Sequence, residues 1–419
     1  MWGRLPRMSL IAWIALVSCV AWAWLLLGQG LFWRTDQRLP RGSVEPVAWP
    51  SVAVVVPARD EAEVLPVSLT SLLRQDYPGR AEIVLVDDGS TDGTGELARA
   101  LAERCAWRHG GGLPLNVVSP GPPERGWTGK LWAVRHGIAV ARGHGEGGTD
   151  FLLLTDADIA HAPDSLRRLV AAATSHRLDL VSQMARLRVA GGWERLVVPA
   201  FVYFFCQLYP FRWVNRARAS AAAGGCVLLR TAAAERAGVP GAIRGAVIDD
   251  VALARAVRRS GGRIWLGLAD HVDSVRPYPR LADLWRMVAR SAYAQLRHSV
   301  AVLACTVAGL ALVYLAPPLC LAAGVAGGDA VAAWAGGAAW AVMAGTYVPM
   351  LRYYRQPLRG AVLLPVTAFL YLLMTVDSAL RHHRGRGAAW KGRTYGAPQA
   401  VFGAVAVHLR PGVQFMPQP

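Results

Sequence analysis

Two acidic clusters stand out by their setting more than by their composition. Residues 86–94 read VDDGSTDGT, so Asp87 and Asp88 follow an apolar run and precede a Gly/Ser/Thr turn. A strand-end carboxylate can accept hydrogen bonds from a nucleobase edge or a ribose, although the same two residues would also serve as a turn and a helix cap. Residues 152–158 read LLLTDAD, which sets Asp156 and Asp158 one residue apart after a second apolar run. The charge of a nucleoside diphosphate must be neutralised, and Mg2+ or Mn2+ held by one or two carboxylates and by phosphate oxygens does this. A lone D-x-D says little. Placed after a buried strand and downstream of the first cluster, it makes Asp156 and Asp158 candidate metal ligands.

The elements that must position these residues are legible in the hydrophobic pattern. Residues 51–57 (SVAVVVP) form a continuous β-branched run, as in a strand buried on both faces. Leu65, Leu69, Leu72 and Leu73 recur at helical spacing within residues 63–75, and residues 82–86 (EIVLV) are a second buried strand, which completes a βαβ unit. Helices over about 94–103 and 127–141 and strands at 115–118 and 151–155 continue the alternation. It predicts a parallel sheet covered on both faces, with ligands beyond the carboxyl ends of the strands, where the acidic clusters fall. Residues 185–245 are less regular, with aromatic runs at 201–205 and 209–213. They are expected to dock on a membrane or line an acceptor cleft, or else to form an ordinary core helix.

In chain order, VVPARDE (55–61), VDDGSTDGT, Gly129-Lys130, TDAD, AAGGCVLLR (222–230) and Asp249-Asp250 before a helix resemble the inverting glycosyltransferases of family 2. That likeness spans about residues 51–262. It implies the GT-A nucleotide-diphospho-sugar transferase fold, an α/β, Rossmann-like mixed sheet. It also implies that Ala58, Arg59 and Glu61 line the nucleotide pocket, that Asp87 contacts the base with Asp88 supporting the loop, and that Lys130 approaches the diphosphate. Asp156 and Asp158 would flank the donor ribose and the divalent metal, with Asp158 the direct ligand. Inversion by direct displacement needs one base for the acceptor hydroxyl proton; Asp250 is the choice and Asp249 the alternative. Gly224, Gly225, Arg290, Gln295 and Arg297 are candidate acceptor-side or diphosphate contacts. Many membrane-bound members carry Gln/Arg-x-x-Arg-Trp after the acidic pair, whereas residues 293–298 read YAQLRH, an incomplete match that argues against processive polysaccharide synthesis. The N-terminal anchor, the QLRHS stretch and WKGRTY (390–395) are most similar to members associated with hopanoid (hopene) biosynthesis. Read without that likeness, WKGRTY is a basic membrane-edge tail.

Composition supplies the setting. Of 419 residues, 53% are hydrophobic, above the usual share of about 45–50%. Residues 8–28 carry no charge and suffice for one bilayer crossing. A cleaved signal peptide, or a lipoprotein signal ending at Cys19, is the rival reading, but hydrophobicity continues past Cys19 through Trp24 and Leu27. The expected layout is a transmembrane anchor (1–30), a linker (31–50), the GT-A domain (51–283), an interfacial helix (284–298), membrane-associated helices (299–380) and a basic cytoplasmic tail (381–419). Within the membrane region, 361–380 contains Pro365 and Asp377 and precedes Arg381 and Arg384, so it is expected to be re-entrant or interfacial. The net charge of +17 gathers beside the apolar blocks, as at Arg34, Arg38, Arg352 and Arg355, and no aromatic-interleaved basic run speaks for nucleic acid. Six scattered cysteines without C-x-x-C show neither a zinc site nor a disulfide framework.

The functional expectation is transfer of a sugar from a nucleotide-sugar donor to a lipid or isoprenoid acceptor. The chain would be multi-pass in a bacterial inner membrane, with its catalytic domain cytoplasmic. A polyprenyl-phosphate or polysaccharide glycosyltransferase is the alternative enzyme. A non-catalytic membrane scaffold retaining the fold is the alternative from another class, disfavoured because a scaffold has no use for strand-end carboxylates.

Overall fold

A computed structural model describes residues 8–109, 111–143, 148–385, 389–390 and 393–394. Helix α1 (Leu10–Leu27) and a linker lead to strand β1 (Val52–Ala58), α2 (Leu65–Leu73), β2 (Ala81–Asp87), α3 (Thr94–His109), β3 (Leu115–Val118), α4 (Gly129–Gly143) and β4 (Phe151–Thr155). Strand β1 is buried along its whole length, as a β-branched run without alternation requires. It pairs in parallel with β2 and β4, and β2 pairs in parallel with β3.

The second half departs from the parallel pattern of the first and makes the sheet mixed, as the family likeness implies. It runs β5 (Ile159–His161), α5 (Ser165–Ser175), β6 (Leu180–Arg186), α6 (Gly192–Leu208), α7 (Phe211–Asn215), β7 (Cys226–Arg230), α8 (Thr231–Arg236), α9 (Asp249–Arg259) and β8 (Ile264–Ser274). The sheet order is β3-β2-β1-β4-β7-β6-β8-β5, with β7 antiparallel to both β4 and β6. The sheet is therefore mixed. The AAGGCVLLR segment is this reversed strand, and its direction sets Cys226 opposite Thr155. The two glycines before it consequently lie at the carboxyl end of β4, beside TDAD.

Helix α4 reaches the sheet through Gly137. A Cβ there would lie 2.5 Å from Val55 Cγ1 and 2.9 Å from Val86 Cγ2, so only hydrogen lets the helix approach β1 and β2 this closely. That approach fixes Lys130, two turns earlier on α4.

Beyond β8 come α10 (Leu281–Ala289), α11 (Ala292–Gln295), α12 (Val300–Leu310), α13 (Ala316–Gly327), α14 (Ala330–Tyr353), α15 (Leu364–His383) and the short pair β9 (Ala389–Trp390) and β10 (Arg393–Thr394). Among the described residues, four helical stretches are long and apolar enough to cross a membrane: Leu10–Leu27, Val300–Gly327, Ala330–Tyr353 and Leu358–His383. Helices α1, α13 and α14 pack on one another. Backbones come close where side chains are small: a Cβ on Gly324 would lie 2.4 Å from Ala333 N, and one on Gly336 would lie 2.7 Å from the Pro317 carbonyl. Ser9, which caps α1, donates to Asp329, which caps α14, so both helices begin at the same end of the bundle. The other end of α14 touches the α/β domain, where the Tyr353 hydroxyl donates to the Ala269 carbonyl at 2.7 Å.

Helix α15 is placed differently. Near its start the Tyr371 hydroxyl donates to Val197 of α6 at 3.2 Å, and near its end the Ser378 hydroxyl meets the Ala289 carbonyl and the Tyr293 N–H. Trp285 Nε1 donates to Asp377 at 2.6 Å, which gives the one acid of this segment a polar partner. The helix thus runs lengthwise along α6, α10 and α11, while Val366, Phe369, Leu373 and Leu380 remain exposed. Helix α6 also answers the question left open for residues 185–245. It belongs to the core and to the membrane-helix contact at once, with Tyr203 bonded to Thr346 of α14 at 2.8 Å and Phe204 against Tyr314 and Tyr371.

Gly137→Val should push α4 off β1 and β2 and destabilise the domain by about 1–3 kcal/mol. The expected readout is a lower thermal midpoint.

Candidate active site

Residues at the carboxyl ends of β1, β2 and β4 meet the head of α9. At the end of β2, Asp87 Oδ1 accepts from Ser90 N at 2.9 Å and from the Ser90 hydroxyl, so Asp87 holds the turn. Asp92 caps α3 through Thr94 N at 3.0 Å. Part of VDDGSTDGT is therefore turn and cap chemistry. Asp88 is buried; its N–H donates to Ala58 at 2.9 Å, and Arg59 donates to its carbonyl. The Glu61 N–H is received by Thr94 at 2.9 Å. Ala58, Arg59, Glu61, Asp87 and Asp88 are thereby one interlocked rim.

Lys130 is the centre of the next group. Its ammonium lies 2.8 Å from Asp156 Oδ1 and 3.0 Å from Asp249 Oδ2, which ties α4, β4 and α9 together. Burial works against a lysine charge, yet Asp156 and then Asp249 hold it firmly protonated. Burial raises the Asp156 carboxyl, with Lys130 opposing and Asp158 adding to the rise.

The second acid of the D-x-D is engaged by a cation that the sequence reading missed. Arg276 Nε lies 2.9 Å from Asp158 Oδ2, and another nitrogen of the same guanidinium lies 2.6 Å from Glu61 Oε2. No motif marks Arg276, which lies in a stretch that reads only as the end of the domain. His161 was missed as well. Its Nε2 meets the Thr155 hydroxyl at 3.0 Å, that hydroxyl donates to the Gly225 carbonyl at 2.8 Å, and burial pushes the imidazole down to about 4. A neutral histidine thus fixes the end of β4 against Gly225.

Asp250 accepts from Gly224 N at 2.9 Å and from Val251 N at 2.7 Å. Burial, followed by the charge of Asp249, pushes its carboxyl up to about 7, against Lys130 and the two N–H groups. A pocket opens here, with Lys130, Asp156, Gly224, Asp249 and Asp250 at its polar side and Val239, Ile243 and Leu253 at its apolar side. Gln295, a candidate acceptor-side residue in the sequence, donates to the Tyr209 hydroxyl. Among the described residues neither Arg290 nor Arg297 bonds a site carboxylate, and both are exposed. Lys391 and Tyr395 of WKGRTY lie outside the described residues.

Among the described residues no three of His, Cys, Asp and Glu are arranged to hold a metal by themselves. Two strand-end carboxylates nonetheless fit Mg2+ or Mn2+, which are generally held by one or two carboxylates with phosphate oxygens completing the shell. Asp156 and Asp158 are the residues that would hold it.

The family model described as Glycosyl transferase family 2 matches residues 53–235. An undecaprenyl-phosphate 4-deoxy-4-formamido-L-arabinose transferase of Pseudomonas aeruginosa is 34% identical over 150 residues, 34% of this chain and 38% of that one. A dodecaprenyl-phosphate galacturonate synthase of Rhizobium johnstonii is 32% identical over 143 residues, again 34% of this chain and 38% of that one. The chain thus spans less than two-fifths of the length of these relatives. Among solved structures, the mannosyltransferase PcManGT from Pyrobaculum calidifontis, in complex with GDP-Man and Mn2+, superposes with a TM-score of 0.50 at 21% identity, covering 88% of this chain and 99% of that one. That superposition reproduces the fold, and the matched segment contains the β1, β2 and β4 ends and the reversed strand β7. Residues 53–235 thus resemble glycosyltransferase family 2, and they lie in a domain that shares the fold of that mannosyltransferase and is flanked by long apolar helices.

Proposed function

We propose that the chain is an inverting glycosyltransferase that moves a sugar from a nucleotide diphosphate to a hydroxyl group of a lipid or isoprenoid acceptor. It would be held in a bacterial inner membrane with its catalytic domain in the cytoplasm. The observation that carries this reading is the Asp250 carboxylate, aimed by two backbone N–H groups and raised to about 7 beside the lysine-tied acids. A base whose pKa lies near the working pH suits removal of a hydroxyl proton as the oxygen attacks the anomeric carbon. On the donor side, Asp87 and the Arg59–Asp88 rim would receive the nucleoside, and Lys130 would face the diphosphate. A divalent ion on Asp156 and Asp158, when bound, would supply neutralisation of the departing diphosphate.

A second reading takes a polyprenyl phosphate as acceptor, as the names of the Pseudomonas and Rhizobium relatives suggest. A phosphate oxygen is already anionic and needs no base, so the two readings part at Asp250. A hopanoid-related acceptor is the finer form of the first reading and rests on the likeness of QLRHS and WKGRTY. Mass spectrometry of lipids from cells with and without the protein identifies the acceptor. Loss of a glycosylated hopanoid supports the first reading, and loss of a polyprenyl-phosphate sugar supports the second.

Asp250→Asn should retain donor binding while turnover falls by roughly 10²-fold or more, and Asp249→Asn should cost less. Because the base works unprotonated, native turnover should rise with pH up to about 7 and then level, and Asp250→Asn should lose that limb. Unchanged turnover in Asp250→Asn would favour the phosphate acceptor.

Asp158→Ala, or addition of EDTA, should abolish turnover with the thermal midpoint of the fold kept. Full activity in either condition removes the metal from the reading.

Since α15 lies along α6, α10 and α11, a reporter fused after Tyr395 should behave as cytoplasmic. A periplasmic signal would make α15 a full crossing.

A further inference from the structure

Arg276 bridges two acids that belong to different parts of the donor site. Glu61 follows β1 and Asp158 follows β4, and one guanidinium holds both, at 2.6 and 2.9 Å. The main chain around it is pinned. Val275 N donates to the Asp158 carbonyl at 2.8 Å, and Tyr278 N donates to Glu194 Oε1 at 2.7 Å at the start of α6. The backbone is thus held on both sides of an arginine side chain that remains 28% exposed.

The charges make this contact consequential. Glu61, Asp156, Asp158, Asp249 and Asp250 converge, and Lys130 and Arg276 are cations bonded directly to members of this group. A guanidinium stays charged at any working pH, and its planar fork suits paired phosphate oxygens as well as carboxylates. It also occupies Oδ2, one of the two carboxylate oxygens of Asp158.

We propose that Arg276 is an exchangeable counter-ion of the donor site: it holds Asp158 and Glu61 while the site is empty, and passes to the donor diphosphate when a divalent ion engages Asp158. The inference rests on the donor-site reading above and deepens it. Because Arg276 competes with the ion for Asp158, the ion alone binds weakly. Once displaced, the guanidinium has the diphosphate as its partner, so ion and nucleotide tighten each other reciprocally.

The test uses the full chain in detergent, with MnCl2 alone and then with UDP or GDP, following free Mn2+ by electron paramagnetic resonance. Arg276→Gln should bind Mn2+ alone roughly tenfold more tightly than the native protein. The double variant Glu61→Gln, Arg276→Gln keeps the net charge of the native protein and leaves no unpaired acid at residue 61. It should show the same tightening, and it decides the matter if the single variant does not fold. In both variants the factor by which nucleotide tightens Mn2+ should fall toward one. Mn2+ binding that is equal or weaker in the variants, or nucleotide coupling that is unchanged, overturns the inference. If the native protein binds Mn2+ and nucleotide normally in that case, only the role of Arg276 falls. If the native protein binds neither UDP nor GDP with Mn2+, the donor-site reading falls with it.

Discussion

Carboxylates brought together out of water repel one another, and this fold brings five of them to one place. At about 4 Å and an effective dielectric near 20, a single such pair costs about 4 kcal/mol. Two cations built into the cluster offset that repulsion. Lys130 ties Asp156 to Asp249, and Arg276 ties Asp158 to Glu61. Each cation joins segments far apart in sequence, so electrostatic compensation and tertiary closure are the same event. Once those contacts are made, β4, α4, α9 and the loop after β8 have little freedom relative to one another.

The scaffolding explains how the cations arrive. Lys130 depends on α4 lying against β1 and β2, which the missing side chain at Gly137 permits. Asp250 depends on the reversed direction of β7, because the Gly224 N–H that aims it belongs to the turn before that strand. The hydrogen bonds that His161 makes possible fix the β4 end to that same turn. Asp250 then sits in the surroundings that raise a carboxyl pKa, half-dry and beside another acid, while its two N–H partners preserve its direction.

The catalytic domain and the apolar helices are continuous through packing. Tyr203 and Phe204 of α6 contact α14 and α15, the loop carrying Arg276 and Tyr278 is pinned to the start of α6, and α10 and α11 rest on α15. Residues beside α15 are therefore connected by packing and hydrogen bonds to the loop that carries Arg276. Glu194, which receives the N–H groups of Ala190, Gly191 and Tyr278, is the joint between the two.

Local sequence determined the elements that depend on neighbouring residues. The β-branched runs gave β1, β2 and β4, leucine spacing gave α2, and the strand-end acids Asp87, Asp156 and Asp158 were legible because burial and turn chemistry are written in adjacent positions. The apolar blocks were legible for the same reason. Only the tertiary structure decided that β7 runs backwards, since CVLLR has the same composition in either direction and its partner strands lie far away in the chain. It alone decided that Asp87 spends an oxygen on its own turn, and that α15 lies along the domain. It alone revealed Arg276, a charged residue without a motif whose partners lie 118 and 215 positions away. A long-range ion pair leaves no periodic trace in sequence, because its energy depends on a distance that exists only after the chain has closed.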